Sequence, residues 1–330
     1  MKFIYVTDLH IRIKRPANRI GDYVGDLISK LTEVASLAIK YEAKAVLCGG
    51  DVFDSPNASG AAQNIFIDFL EMLERNDIDF YTAAGNHDIE GHNIKSLANC
   101  SLGVIGRVQS NLHVFGKQDN VVFTDNDGAR IAVTGVGYRA GIDACKEIYS
   151  PEEVRSNADI SILMIHSMLV MNSFFGEHVP IASFKHNFDC ILSGHYHKAF
   201  SQRVGDTMFL NPGSLMRMRL EQYSVTKEPA AALIDVQGPD PKNVKYGLLK
   251  LQSARPVAEI LDLENLSDDD EEEIDINNLI QMIETERIEG ADMVAILHEM
   301  GEMHEFDPPV VKKVEERIKQ KRVTEHEELT

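Results

Sequence analysis

The stretch Ala45-Val46-Leu47-Cys48-Gly49-Gly50-Asp51-Val52-Phe53-Asp54 runs four apolar residues straight into a glycine turn and an acid. A short apolar run bounded by turn residues reads as a strand buried on both faces. An acid just past such a strand stands where open α/β sheets keep their ligand sites. The pattern recurs on either side. Residues 1–7 lead to Asp8-Leu9-His10, and Phe80-Tyr81-Thr82-Ala83-Ala84 leads to Gly85-Asn86-His87-Asp88. Between these strands, apolar residues at helical spacing predict helices over 22–42 (Leu27, Leu31, Val34) and 61–75 (Ile65, Phe66, Phe69, Leu70, Leu73). The N-terminal part therefore reads β-α-β-α-β, with chemistry at the end of each strand.

The second half is richer in strands. Residues 131–136 form one, 160–165 lead to His166, and 188–193 lead to Gly194-His195-Tyr196-His197. Residues 207–210, 231–236 and 244–249 read as edge strands, with Gly238-Pro239-Asp240-Pro241 as the hairpin between the last two. The expected fold class is α/β: a two-sheet β-sandwich flanked by helices, with a short, acidic, mostly helical C-terminal extension.

Composition changes near residue 255. Residues 256–330 hold 7 Lys+Arg against 23 Asp+Glu, so this tail carries −16 of the net −19. The preceding part is close to neutral, and whole-chain charge does not exclude a polyanionic substrate. The reading is a catalytic domain over 1–255, a reduced cap or acidic linker over 256–275 around the run Asp268–Glu273, and a helical partner-binding region over 276–330. Four widely spaced cysteines without a Cys-x-x-Cys pair, no signal peptide and no apolar run of membrane-spanning length give a cytoplasmic expectation.

The strand-end residues form a ligand set. Asp8 and His10 are two apart, and residues i and i+2 of extended backbone point the same way, so both reach one ion. Asp51 offers two oxygens able to bridge two ions. Asn86 adds a neutral amide oxygen, His166 and His195 face the second ion, and His197 turns back to the first. Oxygen and imidazole without thiolate suit divalent ions, Mn²⁺ foremost. Such ion pairs activate water for in-line attack on phosphorus. His87, beside a ligand, and Asp88 are the candidate catalytic residues, Asp88 either holding the His87 ring in the right tautomer or capping the next helix.

These motifs, D-x-H, G-D-x-x-D, G-N-H-D, a lone His and G-H-x-H, resemble those of the calcineurin-like metallophosphoesterase superfamily over about residues 1–215. Within it the chain looks like the SbcD type of DNA repair and recombination nuclease, bacterial or phage. Gly50–Asp54, Leu163–His166 and Asn211-Pro212-Gly213-Ser214-Leu215-Met216-Arg217 carry that closer likeness. It implies a Mn²⁺-dependent nuclease, exonuclease on duplex and endonuclease on single strands, with an SbcC-type coiled-coil ATPase partner and a homodimer. It also assigns Asp8, His10, Asp51 and His197 to one ion, and Asp51, Asn86, His166 and His195 to the other. Break-repair relatives from archaea and eukaryotes carry His where this chain has Asp54, so no histidine role transfers there. A small-molecule phosphodiesterase or a protein phosphatase on the same fold is the alternative.

Arg12, Lys14, Arg15 and Arg19 follow the first motif and are expected to meet phosphates, as are Arg217 and Arg219 after the Pro-Gly-Ser turn. Val311, Val314 and Ile318 make a narrow apolar stripe expected to dock on the ATPase. Phe66 and Phe69 serve either a dimer face or the core.

Overall fold

Alternation along the strands sets the layers. In β7 (Ile160–Ser167), Ile160, Ile162 and Met164 face a core between two sheets, while Leu163 and Ile165 face a second core outside. The computed structural model describes residues 1–263 apart from 17–18, 117, 147–157, 174–175 and 219–221. Arg219, the acidic run 268–273 and the stripe of Val311, Val314 and Ile318 lie outside the described residues. The chain divides into two units, Met1–Asn172 with His178–Glu264, and Ser173–Glu177 with Asn265–Thr330. The fold and the site belong to the first.

The first sheet contains β1 (Lys2–Val6), β2 (Ala45–Cys48), β3 (Asp79–Ala83) and β4 (Leu112–Phe115), all parallel. β13 (Ala230–Val236) joins β1 antiparallel and β14 (Val244–Lys250) closes that edge, in the order β14-β13-β1-β2-β3-β4. The second sheet runs β11-β12-β10-β7-β6-β5, with β5 at Asp119–Thr124, β6 at Arg130–Val136, β10 at Cys190–His195, β11 at Phe200–Val204 and β12 at Thr207–Asn211. β6, β7, β10 and β12 are parallel, and the two edges are antiparallel. Of the three expected edge strands only β14 is one. β12 and β13 are interior, because the polar strand β11 covers the first and β14 covers the second.

Helix α1 (Tyr23–Lys40) starts after Asp22, whose side chain accepts from the Gly25 amide at 2.9 Å. Helix α2 (Gly60–Glu74) starts after Ser59, which accepts from the Ala62 amide. Both bury their apolar faces on the first sheet: Leu27, Leu31 and Val34 from α1, and Phe66, Phe69, Leu70 and Leu73 from α2. Phe66 and Phe69 thus belong to the core and are not free for a dimer face. The Phe66 ring meets Phe53 and Phe80 edge-on, each at 5.5 Å. Phe66→Ala should cost about 3–5 kcal/mol in urea unfolding, the usual range for a buried aromatic. A loss under about 1 kcal/mol would mean that α2 is not seated as described.

Residues past 255 still belong to this body. Ile260 and Leu261 are buried, and the Ile20 amide donates to the Ile260 carbonyl at 2.9 Å. The segment assigned as linker therefore begins as part of the folded unit, before its acidic run.

Candidate metal centre

All the predicted ligands lie at one end of the two sheets, past or near the C-terminal ends of parallel strands. The loops after β1 and β2 keep pairing beyond the sheet: Asp8 N donates to Gly50 O at 3.0 Å, and His10 N to Asp51 O at 3.0 Å. The backbone then departs from expectation. Asp8, His10, Asp51 and His195 all have left-handed φ, at 51°, 45°, 50° and 75°. Asp8 and His10 converge through this geometry and not through extended backbone. Non-glycine residues there carry strain of order 1–3 kcal/mol each, which clusters at functional sites. Aspartate and histidine tolerate the region better than most.

Two glycines let the loops close. A Cβ on Gly50 (φ 106°) would meet His166 Nδ1 at 2.4 Å, and one on Gly85 would sit 2.1 Å from Asp51 Oδ1. Side chains at these positions would push ligands out of place.

The side chains form three overlapping groups: Asp8, His10 and His197; His10, Asp51 and His87; Asp51, His166 and His195. Within each group, one ligand atom per residue lies within 4.8 Å of the others. His10 Nε2 is 3.0 Å from His197 Nε2 and 3.7 Å from Asp51 Oδ2. His166 Nε2 is 3.4 Å from Asp51 Oδ2 and 3.0 Å from Asn86 Oδ1. His197 Nε2 is 3.6 Å from Asp8 Oδ1. The Asp8 carboxylate accepts from the His195 amide and from the Thr7 hydroxyl, tying the first sheet to the second.

Asp51 stands at the centre. Oδ1 accepts from the His87 amide at 2.8 Å, while Oδ2 is buried and accepts no hydrogen bond. A buried carboxylate oxygen without a hydrogen bond, facing two imidazole nitrogens, is costly unless a cation meets it, whether an imidazolium or a metal ion. With the neutral amide of Asn86 and no thiolate, this donor set fits divalent ions. The His166 Nδ1–H donates to Gly49 O at 2.7 Å, which leaves Nε2 turned towards Asp51 and Asn86.

Burial would lift the Asp51 carboxyl, but the imidazoles of His166, His10 and His87 hold it below the usual carboxylate range. Burial alone would lower the His166 imidazole, and neighbouring Asp51 instead raises it to about 10. Burial lowers His10 and His197 to about 3, so both rings are neutral at neutral pH. The sign of the pH dependence follows. Asp51 favours a proton on His166, so ion uptake should release that proton and affinity should rise with pH. Calorimetric heats should then differ between PIPES and Tris in proportion to buffer ionisation enthalpy. Equal heats in the two buffers would contradict this.

Asp88 caps its own turn, Asn86–Asp88, through the Gly85 amide, and does more besides. Its oxygens accept from the amides of Val52, Phe53 and Gly85, so it clasps the β2 and β3 loops together. Burial pushes its carboxyl up to about 7, with Asp51 adding to the effect. The His87 ring is oriented by a backbone carbonyl: Nδ1 lies 3.0 Å from Asp54 O. That leaves Nε2 for a reacting group.

The basic residues divide. Arg12 is half-buried and pairs with Asp54 at 2.7 Å, while Lys14 and Arg15 are exposed. Arg19 and Arg217 are buried in contacts with the protein itself and not exposed to meet phosphates. Arg19 is 1% exposed and bound to Asp26 on α1 at 2.7 Å. Arg217 is 7% exposed and donates to the carbonyls of Lys227 and Arg255, clamping two chain segments.

One polar contact is absent from the motifs. Asp143, in the short turn Ile142–Ala144, places Oδ2 3.3 Å from His195 Nε2. Burial would raise its carboxyl, but the bonds from His195 and the Met168 amide hold it below its ordinary value. Tyr138 packs its ring 5.5 Å from His195 and 6.0 Å from His166.

A cradle of buried carboxylates, an amide and imidazoles at the ends of parallel strands defines a metal-dependent phosphoesterase. Residues 1–199 match the calcineurin-like phosphoesterase family, and the chain belongs to it. Among curated relatives, the DNA double-strand break repair protein Mre11 of Methanococcus maripaludis is 24% identical over 236 residues, covering 69% of this chain and 60% of the relative. That of Sulfolobus acidocaldarius is 23% identical over 252 residues, covering 74% and 63%. That of Nanoarchaeum equitans is 31% identical over 85 residues, covering 26% and 23%. The chain thus spans at most 63% of the length of these relatives. Among the described residues, no helix is long and apolar enough to cross a membrane.

Proposed function

We propose that this chain is a Mn²⁺-dependent DNA nuclease, cutting duplex ends as an exonuclease and single strands as an endonuclease, within an SbcCD-like repair and recombination complex. The observation that carries the reading is the buried Asp51 Oδ2, which has no hydrogen bond and faces the His10 and His166 imidazoles at 3.7 Å and 3.4 Å. Asp8, His10, Asp51 and His197 would hold one ion, and Asp51, Asn86, His166 and His195 the other. Two such ions, when bound, polarise the phosphate and supply a nucleophile at neutral pH. The Mre11 relatives favour DNA over a small phosphodiester as substrate.

The chain's own groups complete the site. His87 presents Nε2 to the leaving oxygen and holds a proton there, its ring fixed by the Asp54 carbonyl. Arg12, Lys14 and Arg15 line the approach and meet phosphates. The partner is a coiled-coil ATPase engaged through Val311, Val314 and Ile318, and the working form is a cytoplasmic homodimer.

The test is degradation of an end-labelled blunt duplex in Mn²⁺, beside a p-nitrophenyl phosphodiester. Hydrolysis of the small ester with the duplex left intact would replace this reading with a small-molecule phosphodiesterase. The triple change Arg12, Lys14 and Arg15 to Ala should weaken duplex binding. Each phosphate contact removed should flatten the plot of log affinity against log salt by roughly 0.9. An unchanged slope would take these three residues out of the interface.

A further inference from the structure

Asp143 is built to act on His195. The carboxylate is 6% exposed and held from both sides. Oδ1 accepts from the Met168 amide at 2.7 Å, and Oδ2 lies 3.3 Å from His195 Nε2. Its turn is anchored to the end of β7, where the Ser167 hydroxyl donates to the Ile142 carbonyl at 3.3 Å. Met168 pairs in turn with His195 in an isolated bridge. The carboxylate, the strand end and the histidine therefore form one rigid assembly. His166 Nδ1 and His87 Nδ1 meet backbone carbonyls, and His10 Nδ1 stands 3.6 Å from Asp54 Oδ1.

We propose that Asp143 is a positioning residue that fixes the tautomer and ring angle of His195, so that one ion position depends on it and the other does not. A carboxylate accepts only, so it selects the ring form with the proton on Nε2. Nδ1 is then the nitrogen left for an ion. His195 groups with Asp51 and His166, whereas Asp8, His10 and His197 form their own group. Loss of Asp143 therefore acts on the position that His195 shares with His166. Carboxylates behind metal-bound histidines contribute about 10–100-fold to affinity.

The inference rests on the two-ion reading, and the experiment separates the two. Chelator-treated wild type and Asp143→Asn are titrated with MnCl₂, with free Mn²⁺ followed by electron paramagnetic resonance. Asn keeps an acceptor for the Met168 amide but turns an NH₂ towards Nε2, which selects the wrong tautomer. The variant should keep one ion at wild-type affinity and bind the second about 10–100-fold more weakly. Unchanged binding of both ions, or equal weakening of both, overturns the role of Asp143 and leaves the centre standing. A wild type that takes up no Mn²⁺ removes the centre and the inference together. Should the variant fail to fold, ¹⁵N-histidine spectra of chelated wild type decide the matter. The His195 proton on Nε2 supports the assignment, and the proton on Nδ1 overturns it.

Discussion

His87→Ala is expected to cut DNA cleavage by about 10²–10⁴-fold, the range for losing a positioned proton donor, while leaving metal uptake intact. The separation follows from which atom of His87 does what. Its backbone amide, not its ring, holds Asp51 Oδ1 at 2.8 Å. Alanine keeps that amide, so the central carboxylate stays oriented. The ring itself is half-buried, sits edge-on to His10 at 4.9 Å and is steered by the Asp54 carbonyl. Its removal deletes the Nε2 left free for a reacting group, along with the ring's contacts to His10 and the Asp54 carbonyl. The measurement is the cleavage rate on duplex and single strand beside Mn²⁺ stoichiometry. A variant cleaving within about threefold of wild type would end the assignment, because a general acid is worth far more than that. A variant that lost its ions would show the ring to be a ligand.

Asp51→Asn is expected to have the larger effect on metal. One oxygen of this residue faces both His10 and His166, at 3.7 Å and 3.4 Å. An amide has a single acceptor oxygen and no charge. If that oxygen keeps the His87 amide, the NH₂ group meets two imidazoles in place of a cation. Affinity should fall by more than the roughly 100-fold seen when only a supporting residue is lost, and cleavage should fall below detection. Titration to two ions with near-normal affinity would show that Asp51 does not bridge the centre.

The sequence is most legible where apolar runs end in motif residues. β1, β2, β3, β7 and β10 are interior strands, so each reads as a nearly continuous apolar run. Their ends carry the candidate ligands. β4, β5 and β11 are not visible in the same way. They are sheet edges with polar positions, such as Ser201, Gln202 and Arg203 in β11, and a short half-exposed strand has no apolar run to betray it. β12 reads as an edge for the related reason that β11, the strand covering it, is a weak signal, whereas β14 is legible and only its pairing outside β13 is not.

The site shows the same division. Spacing alone brings Asp8 near His10, although the path is left-handed and not extended, since glycine-free αL turns at Asp and His leave no mark that distinguishes them from strand. Arg19 and Arg217 look like phosphate binders beside the mouth. Their burial depends on Asp26 and on the carbonyls of Lys227 and Arg255, which are brought in from elsewhere by the fold. Asp88 reads as a partner of its neighbour His87, yet its acceptors serve amides 35 and 36 positions away. Asp143 lies in no motif, and only the packing of its turn on β7 brings it to His195.

The most direct measurement of the central claim is anomalous diffraction from crystals grown with Mn²⁺. Two peaks about 3.5–4 Å apart, with Asp51 between them, Asp8, His10 and His197 around one and Asn86, His166 and His195 around the other, are the predicted result. A single peak, or none within these seven residues, would contradict it.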